Sequence, residues 1–174
     1  VPGIALSGHM DVVPVTDQAW DSDPFMMVER AGKLYGRGTC DMKGYVACVL
    51  AMVPDLVQRK LRTPVHIVLS YDEEVGCTGV KPMIETFGRK LPRPRLVFVG
   101  EPTNMTVVDA HKGGYRFRTE VIGKSAHSSK PHLGVGAIRI AGELIAELGR
   151  IETRLKSEHF DPRFDPPYAS LTVS

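Results

Sequence analysis

Six side chains among the first 101 residues could together do metal-assisted chemistry. They are His9 and Asp11 in Ser7-Gly-His-Met-Asp11, Asp41 in Gly36-Arg-Gly-Thr-Cys-Asp-Met-Lys-Gly44, the adjacent Glu73-Glu74, and Glu101 in Gly100-Glu-Pro-Thr103. Brought to one place, so many acids repel one another and resist ionisation unless a cation neutralises them. A metal is the economical solution, and imidazole with carboxylates suits zinc, with cobalt or manganese possible. Two ions bridged by one carboxylate, roughly 3.5–4 Å apart, polarise a carbonyl and acidify a water. A further carboxylate must then move the water's proton, and in an adjacent Glu-Glu pair one member can bind metal while the other acts as base.

The elements that must position these residues are legible as apolar runs. Ile4-Ala-Leu6, Val65-His-Ile-Val-Leu69 and Leu96-Val-Phe-Val99 have the length and residue types of buried parallel strands. His9 and Asp11, then Glu73-Glu74, then Glu101 follow those three runs directly. In open α/β sheets ligands bind beyond the carboxyl ends of the strands, so all of these residues are expected on one rim. Between the first two runs, Val46, Val49, Leu50, Val53, Leu56 and Val57 recur at helical spacing over Lys43 to Lys60, which predicts a crossover helix that Pro54 kinks or splits. Val80 to Phe87 is a shorter helical candidate. The βαβ alternation predicts an α/β fold with a doubly wound parallel layer.

After His111-Lys-Gly-Gly114 the pattern changes. Tyr115 to Ile122 alternates polar and apolar residues as a strand with one solvated face does, Ala137 to Lys156 carries an apolar helical stripe, and Ser170 to Ser174 reads as the opening of another strand. Two partial domains are expected, a catalytic metal-binding domain over 1–112 that lacks its N-terminal elements and a smaller α+β lid domain over 113–174 that lacks its C-terminal ones, with Gly113-Gly114 as hinge.

Charge and composition narrow the partners. The formal net charge is +2, from 22 basic and 20 acidic residues spread along 174 positions, which supplies neither a basic arm for nucleic acid nor a polybasic membrane anchor. No apolar run approaches the roughly 20 residues of a membrane span. Cys40, Cys48 and Cys77 form an odd set without a Cys-x-x-Cys pair, which argues against disulfides or a thiolate zinc site and favours a reducing cytoplasm. Cys40 beside Asp41 lacks a catalytic partner and is expected to be a packed thiol. Gly36-Arg-Gly-Thr lacks the Gly-Lys-Ser/Thr ending of a phosphate loop. His66 is expected to be structural, His111 a hinge residue or substrate neighbour, and His132 and His159 surface positions.

Ser-Gly-His-Met-Asp-Val-Val-Pro, Gly-Arg-Gly-Thr-Cys-Asp-Met-Lys-Gly, Asp-Glu-Glu and Gly-Glu-Pro-Thr, in that order, resemble the M20 metallopeptidase family. Within it, Ala110-His-Lys-Gly113 and Gly123-Lys-Ser-Ala-His-Ser-Ser129 are most similar to the acetylornithine deacetylases, although Gly136 stands where relatives often have asparagine. The resemblance implies a two-metal amidohydrolase. His9 and Glu101 would hold one ion, Glu74 the other, and Asp41 would bridge them, with zinc expected and cobalt possible. The resemblance also implies the catalytic set Glu73, Asp11 and His127. Glu73 would be the general base and acid, Asp11 would accept a hydrogen bond from His9 and fix its tautomer, and His127, on the lid domain, would stabilise an oxyanion in a partner subunit's site.

The implied reaction removes acetate from N2-acetyl-L-ornithine in arginine biosynthesis, in the cytoplasm, by a homodimer joined through the lid. Succinyl-diaminopimelate desuccinylase, aminoacylase and carboxypeptidase activities share the chemistry. A truncated, non-catalytic dimerisation or binding module is the alternative of a different class. Relatives complete the second metal site with a histidine near the end of a chain about twice this length, so the 174 residues alone are expected to bind metal incompletely and to show little activity.

Overall fold

A computed structural model describes residues 2–174, which divide into two compact units, 2–107 and 108–174. The first unit is built on a three-stranded parallel sheet. Its strands are β1 (Ile4–His9), β4 (Val65–Ser70) and β5 (Leu96–Val99), in the order β4-β1-β5. Ile4 pairs with Val65 on one side and Leu96 on the other, and the first register continues to His9 opposite Ser70. The strand earliest in the chain is therefore the centre of the sheet, and all three carboxyl ends lie on one edge. A short antiparallel hairpin, β2 (Val28–Arg30) and β3 (Lys33–Tyr35), stands apart from that sheet. Its turn residues, Ala31 and Gly32, both have positive φ, the geometry whose twist suits a two-residue hairpin.

The expected crossover helix is two helices, α1 (Lys43–Ala51) and α2 (Val53–Gln58). The break falls at Met52, and Pro54 occupies the first turn of α2, where its missing N–H leaves no intrahelical bond unmade. α1 lies on β1, and the contact is close because Gly8 has no side chain. A Cβ there would come within 3.0 Å of Met42 Cε and 3.1 Å of Val46 Cγ2. Ala5, Met42, Val49 and Val68 are the buried apolar residues of this small core. The helical candidate after β4 shrinks to one turn, α3 (Lys81–Ile84), again with a proline at its start.

The second unit consists of a 3-10 turn (Pro131–Leu133), the long helix α4 (Ala137–Glu158) and irregular chain joined by isolated antiparallel bridges, Lys124 to Val135 and Phe160 to Tyr168. α4 carries ion pairs one turn apart along its surface, including Arg139 with Glu143 at 2.5 Å and Lys156 with Glu152 at 2.7 Å. Each exposed pair of this kind adds only about 0.3–0.5 kcal/mol. The strands expected over Tyr115 to Ile122 and Ser170 to Ser174 do not form. Alternation makes a strand only where a neighbour takes up its backbone groups, and among the described residues neither segment has a ladder. Tyr115, Phe117 and Ile122 are instead more than 80% exposed.

Candidate metal centre

The carboxyl edge of the sheet collects the acids. His9 ends the central strand, and its side chain is 2% exposed. Glu73 and Glu74 lie in the turn that follows β4, Glu101 follows β5, and Asp41 lies in the loop that leads into α1. From His9 Nε2 the distances are 3.0 Å to Asp41 Oδ1, 3.9 Å to Glu101 Oε1 and 4.0 Å to Glu73 Oε2. Two overlapping sets have ligand atoms within 4.8 Å of one another, His9 with Asp41 and Glu101, and His9 with Glu73 and Glu74.

Local structure holds each group in place. Met42, fully buried at the start of α1, accepts the His9 main-chain N–H on its sulfur at 3.3 Å, and Lys43 Nζ donates to the Met10 carbonyl. These contacts tie the Asp41 loop to the end of β1. The Asp41–Met42 peptide is cis. Gly38, in the same loop, has φ +81, and a Cβ on it would meet Val12 Cγ1 at 2.8 Å, so both conformation and space require glycine there. Gly100, just before Glu101, lies so close to the Tyr45 ring that a Cβ would come within 2.1 Å of Tyr45 Cγ, and no side chain fits.

The His9 ring reveals the polarity of the site. Its Nδ1 lies 3.0 Å from the main-chain carbonyl of Asp11, which can only accept, so Nδ1 carries the proton and donates. In the neutral ring Nε2 then presents a lone pair, and it faces the carboxylates of Asp41, Glu101 and Glu73. An array of acceptors aimed at one another fits a cation between them, and donor chemistry of one imidazole with carboxylates is that of zinc or a similar divalent ion. The titration of the groups is consistent with such crowding. Burial alone would lower the His9 pKa, yet the Asp11 carbonyl, Asp41, Glu101 and the Asp11 charge hold it above the ordinary value. Glu101 is raised, first by burial and then by Asp41, with Glu73 and Glu74 adding to the effect and His9 opposing it.

The hydrogen bond expected from His9 to the Asp11 carboxylate goes instead to the Asp11 carbonyl. The carboxylate is engaged elsewhere: Oδ2 accepts the Glu74 main-chain N–H at 3.1 Å, while Oδ1 lies 3.4 Å from His9 Nδ1, buried and without a hydrogen-bond partner. Burial pushes the Asp11 pKa up, but the N–H groups of Glu74 and Glu73 outweigh it and the carboxyl stays below its usual range. Asp11 thus couples β1 to the Glu73-Glu74 turn.

His127 belongs to the second unit and is exposed. Its Nδ1 accepts the Ser129 main-chain N–H at 3.2 Å and lies 2.8 Å from Ser129 Oγ, which leaves the other nitrogen as the N–H of the neutral ring. Cys40, expected to be packed, is exposed on a cleft of about 340 Å³ lined also by Trp20, Leu34, Tyr35 and Thr39, and no base lies against its sulfur among the described residues. His66 is half-buried with its ring edge-on to Phe87, and His132 and His159 are exposed. One neighbour of the site was not singled out from the sequence: Cys77, whose sulfur lies 3.4 Å from Glu73 Oε1. Its only signal is the spacing of four residues from Glu73 across Gly76.

Comparison with known proteins gives this geometry a family. The model of peptidase family M20/M25/M40 matches residues 5–168. The acetylornithine deacetylases of Buchnera aphidicola subsp. Acyrthosiphon pisum strains Tuc7, 5A and APS are each 34% identical to the chain over 172 residues, which is 99% of the chain and 44% of each relative. The chain therefore spans less than half the length of these curated relatives. With the family model matched along nearly all of it, the chain belongs to peptidase family M20/M25/M40.

Proposed function

We propose that the protein is a two-metal amidohydrolase that removes the acyl group from a small N-acyl amino acid, with N2-acetyl-L-ornithine as substrate and ornithine and acetate as products. The observation that carries the reading is the convergence of His9 Nε2 with the carboxylates of Asp41, Glu101 and Glu73 on one sheet edge. The named relatives support the choice of substrate. Under this reading His9, Glu101, Glu74 and Asp41 would hold two ions, zinc or else cobalt, which would supply Lewis-acid polarisation of the substrate carbonyl.

The chain's own groups do the rest. The Asp11 carbonyl holds the His9 proton on Nδ1 and keeps Nε2 free to ligate. Glu73 takes a proton from the attacking water on a carboxylate oxygen and delivers it to the amide nitrogen as the C–N bond breaks. His127, with its second ring nitrogen as donor, reaches the site of a partner subunit and stabilises the negative oxygen of the tetrahedral species there. Residues 1–112 form the catalytic part and 113–174 a lid through which two subunits pair. The reaction belongs to arginine biosynthesis in the cytoplasm. No helix among the described residues is long and apolar enough to cross a membrane.

The test compares turnover of acetylornithine, succinyl-diaminopimelate and a dipeptide by the full-length gene product. Acetylornithine turns over fastest on this reading, and equal or faster turnover of either competitor removes the substrate assignment. Glu73→Gln should lose at least about 100-fold in kcat, the scale of a general base, while retaining bound metal.

A further inference from the structure

We propose that Cys77 is a positioning residue for Glu73, its thiol holding one oxygen of the carboxylate so that the other faces the metal centre. The proposal rests on the reading of Glu73 as the general base. Cys77 Sγ lies 3.4 Å from Glu73 Oε1, while Glu73 Oε2 lies 4.0 Å from His9 Nε2. The two oxygens are thus divided between the thiol and the site. Among the described residues no other group donates a hydrogen bond to this carboxylate.

A glutamate in a turn has three side-chain torsions to fix, and a base that must meet both a water and a leaving nitrogen gains from having them fixed beforehand. The turn itself delivers the thiol. The main-chain N–H groups of Gly76 and Cys77 both donate to the Glu73 carbonyl at 3.0 Å, which folds Cys77 back over Glu73. Cys77 does this at φ +55, where glycine is relaxed and a residue with a Cβ is not. The sulfur also lies 3.8 Å from the Glu73 carbonyl. An ordinary cysteine thiol carries its proton at neutral pH and can donate it to a carboxylate.

The left-handed backbone supplies a clean experiment. Cys77→Gly removes the thiol while relieving the backbone, and Cys77→Ser restores a donor of similar reach. Both are measured in the metal-loaded full-length gene product, on whichever amide substrate turns over fastest, beside Glu73→Gln. The expected result is a roughly 10-fold loss of kcat in Cys77→Gly with KM and metal content unchanged, and recovery of most of that loss in Cys77→Ser. Wild-type kcat in Cys77→Gly overturns the proposal, as does a loss shared by KM or metal content, or a serine variant no better than glycine. Retained turnover in Glu73→Gln overturns the underlying reading of the base. An inactive Glu73→Gln with an unaffected Cys77→Gly overturns the positioning role alone.

Discussion

At the scale of single residues, the centre is organised by where protons sit. His9 and Glu101 both hold their protons more tightly than ordinary side chains of their types, and a metal must displace those protons to bind. Apparent affinity for zinc or cobalt should therefore weaken as pH falls, beginning above the usual histidine range for His9 and above the usual carboxylate range for Glu101. Metal titrations at several pH values check the sign; affinity that is flat from pH 8 to pH 5 contradicts it. Asp161, in the second unit, runs the other way. The Arg163 guanidinium and main-chain N–H lower its pKa to about 2, so the carboxyl is charged until very acid pH. A depressed acid supports the fold above its unfolded pKa and loses that support as pH falls through the folded value. Both groups are open to water, so the thermodynamic effect is small. Arg163→Ala should return the Asp161 midpoint to the ordinary carboxylate range in an NMR titration. That the metal-centre acids gather on one rim was legible in the sequence because all but Asp41 directly follow an apolar strand run. The Asp11 carbonyl and the Cys77 contact were not, because a backbone path decides them.

At the scale of elements, the site depends on how closely the loop before α1 approaches the end of β1. Gly8 and Gly38 permit that approach for different reasons, one by space and the other by conformation as well. Gly8→Ala should cost about 1–3 kcal/mol by overpacking against Met42 and Val46, read as a lower urea midpoint. Gly38→Ala adds backbone strain of about 1–3 kcal/mol in the loop that carries Asp41, three residues before it, so it should weaken metal binding as well as stability. The three parallel strands were readable because Val, Ile, Leu and Phe runs leave no other use for their length. The split at Pro54 was readable from the missing N–H. The β2–β3 hairpin was not, since Ala31 is an unusual residue for a positive-φ turn. Tyr115 to Ile122 shows the opposite case, a pattern whose strand depends on a partner that periodicity cannot name.

At the scale of the whole chain, apolar surface is abundant. All four residues of β5 are about half exposed, as are Ile84, Leu50 and Met52. Apolar surface exposed on this scale promotes association or takes up apolar probes. The 174-residue chain expressed alone should bind a hydrophobic dye strongly and should bind less than two metal ions; weak dye binding with two tightly bound ions contradicts this. The sheet order adds a constraint in time. Because the central strand precedes both of its neighbours in sequence, His9 leaves the ribosome well before either of them, and before every acid that faces it. Its pairings are long-range, which slows folding, and the last of them waits for Leu96–Val99. A nascent chain thus assembles the charged rim only when β5 docks beside β1, so premature arrest of translation before Glu101 would leave an exposed edge strand and an incomplete ligand set.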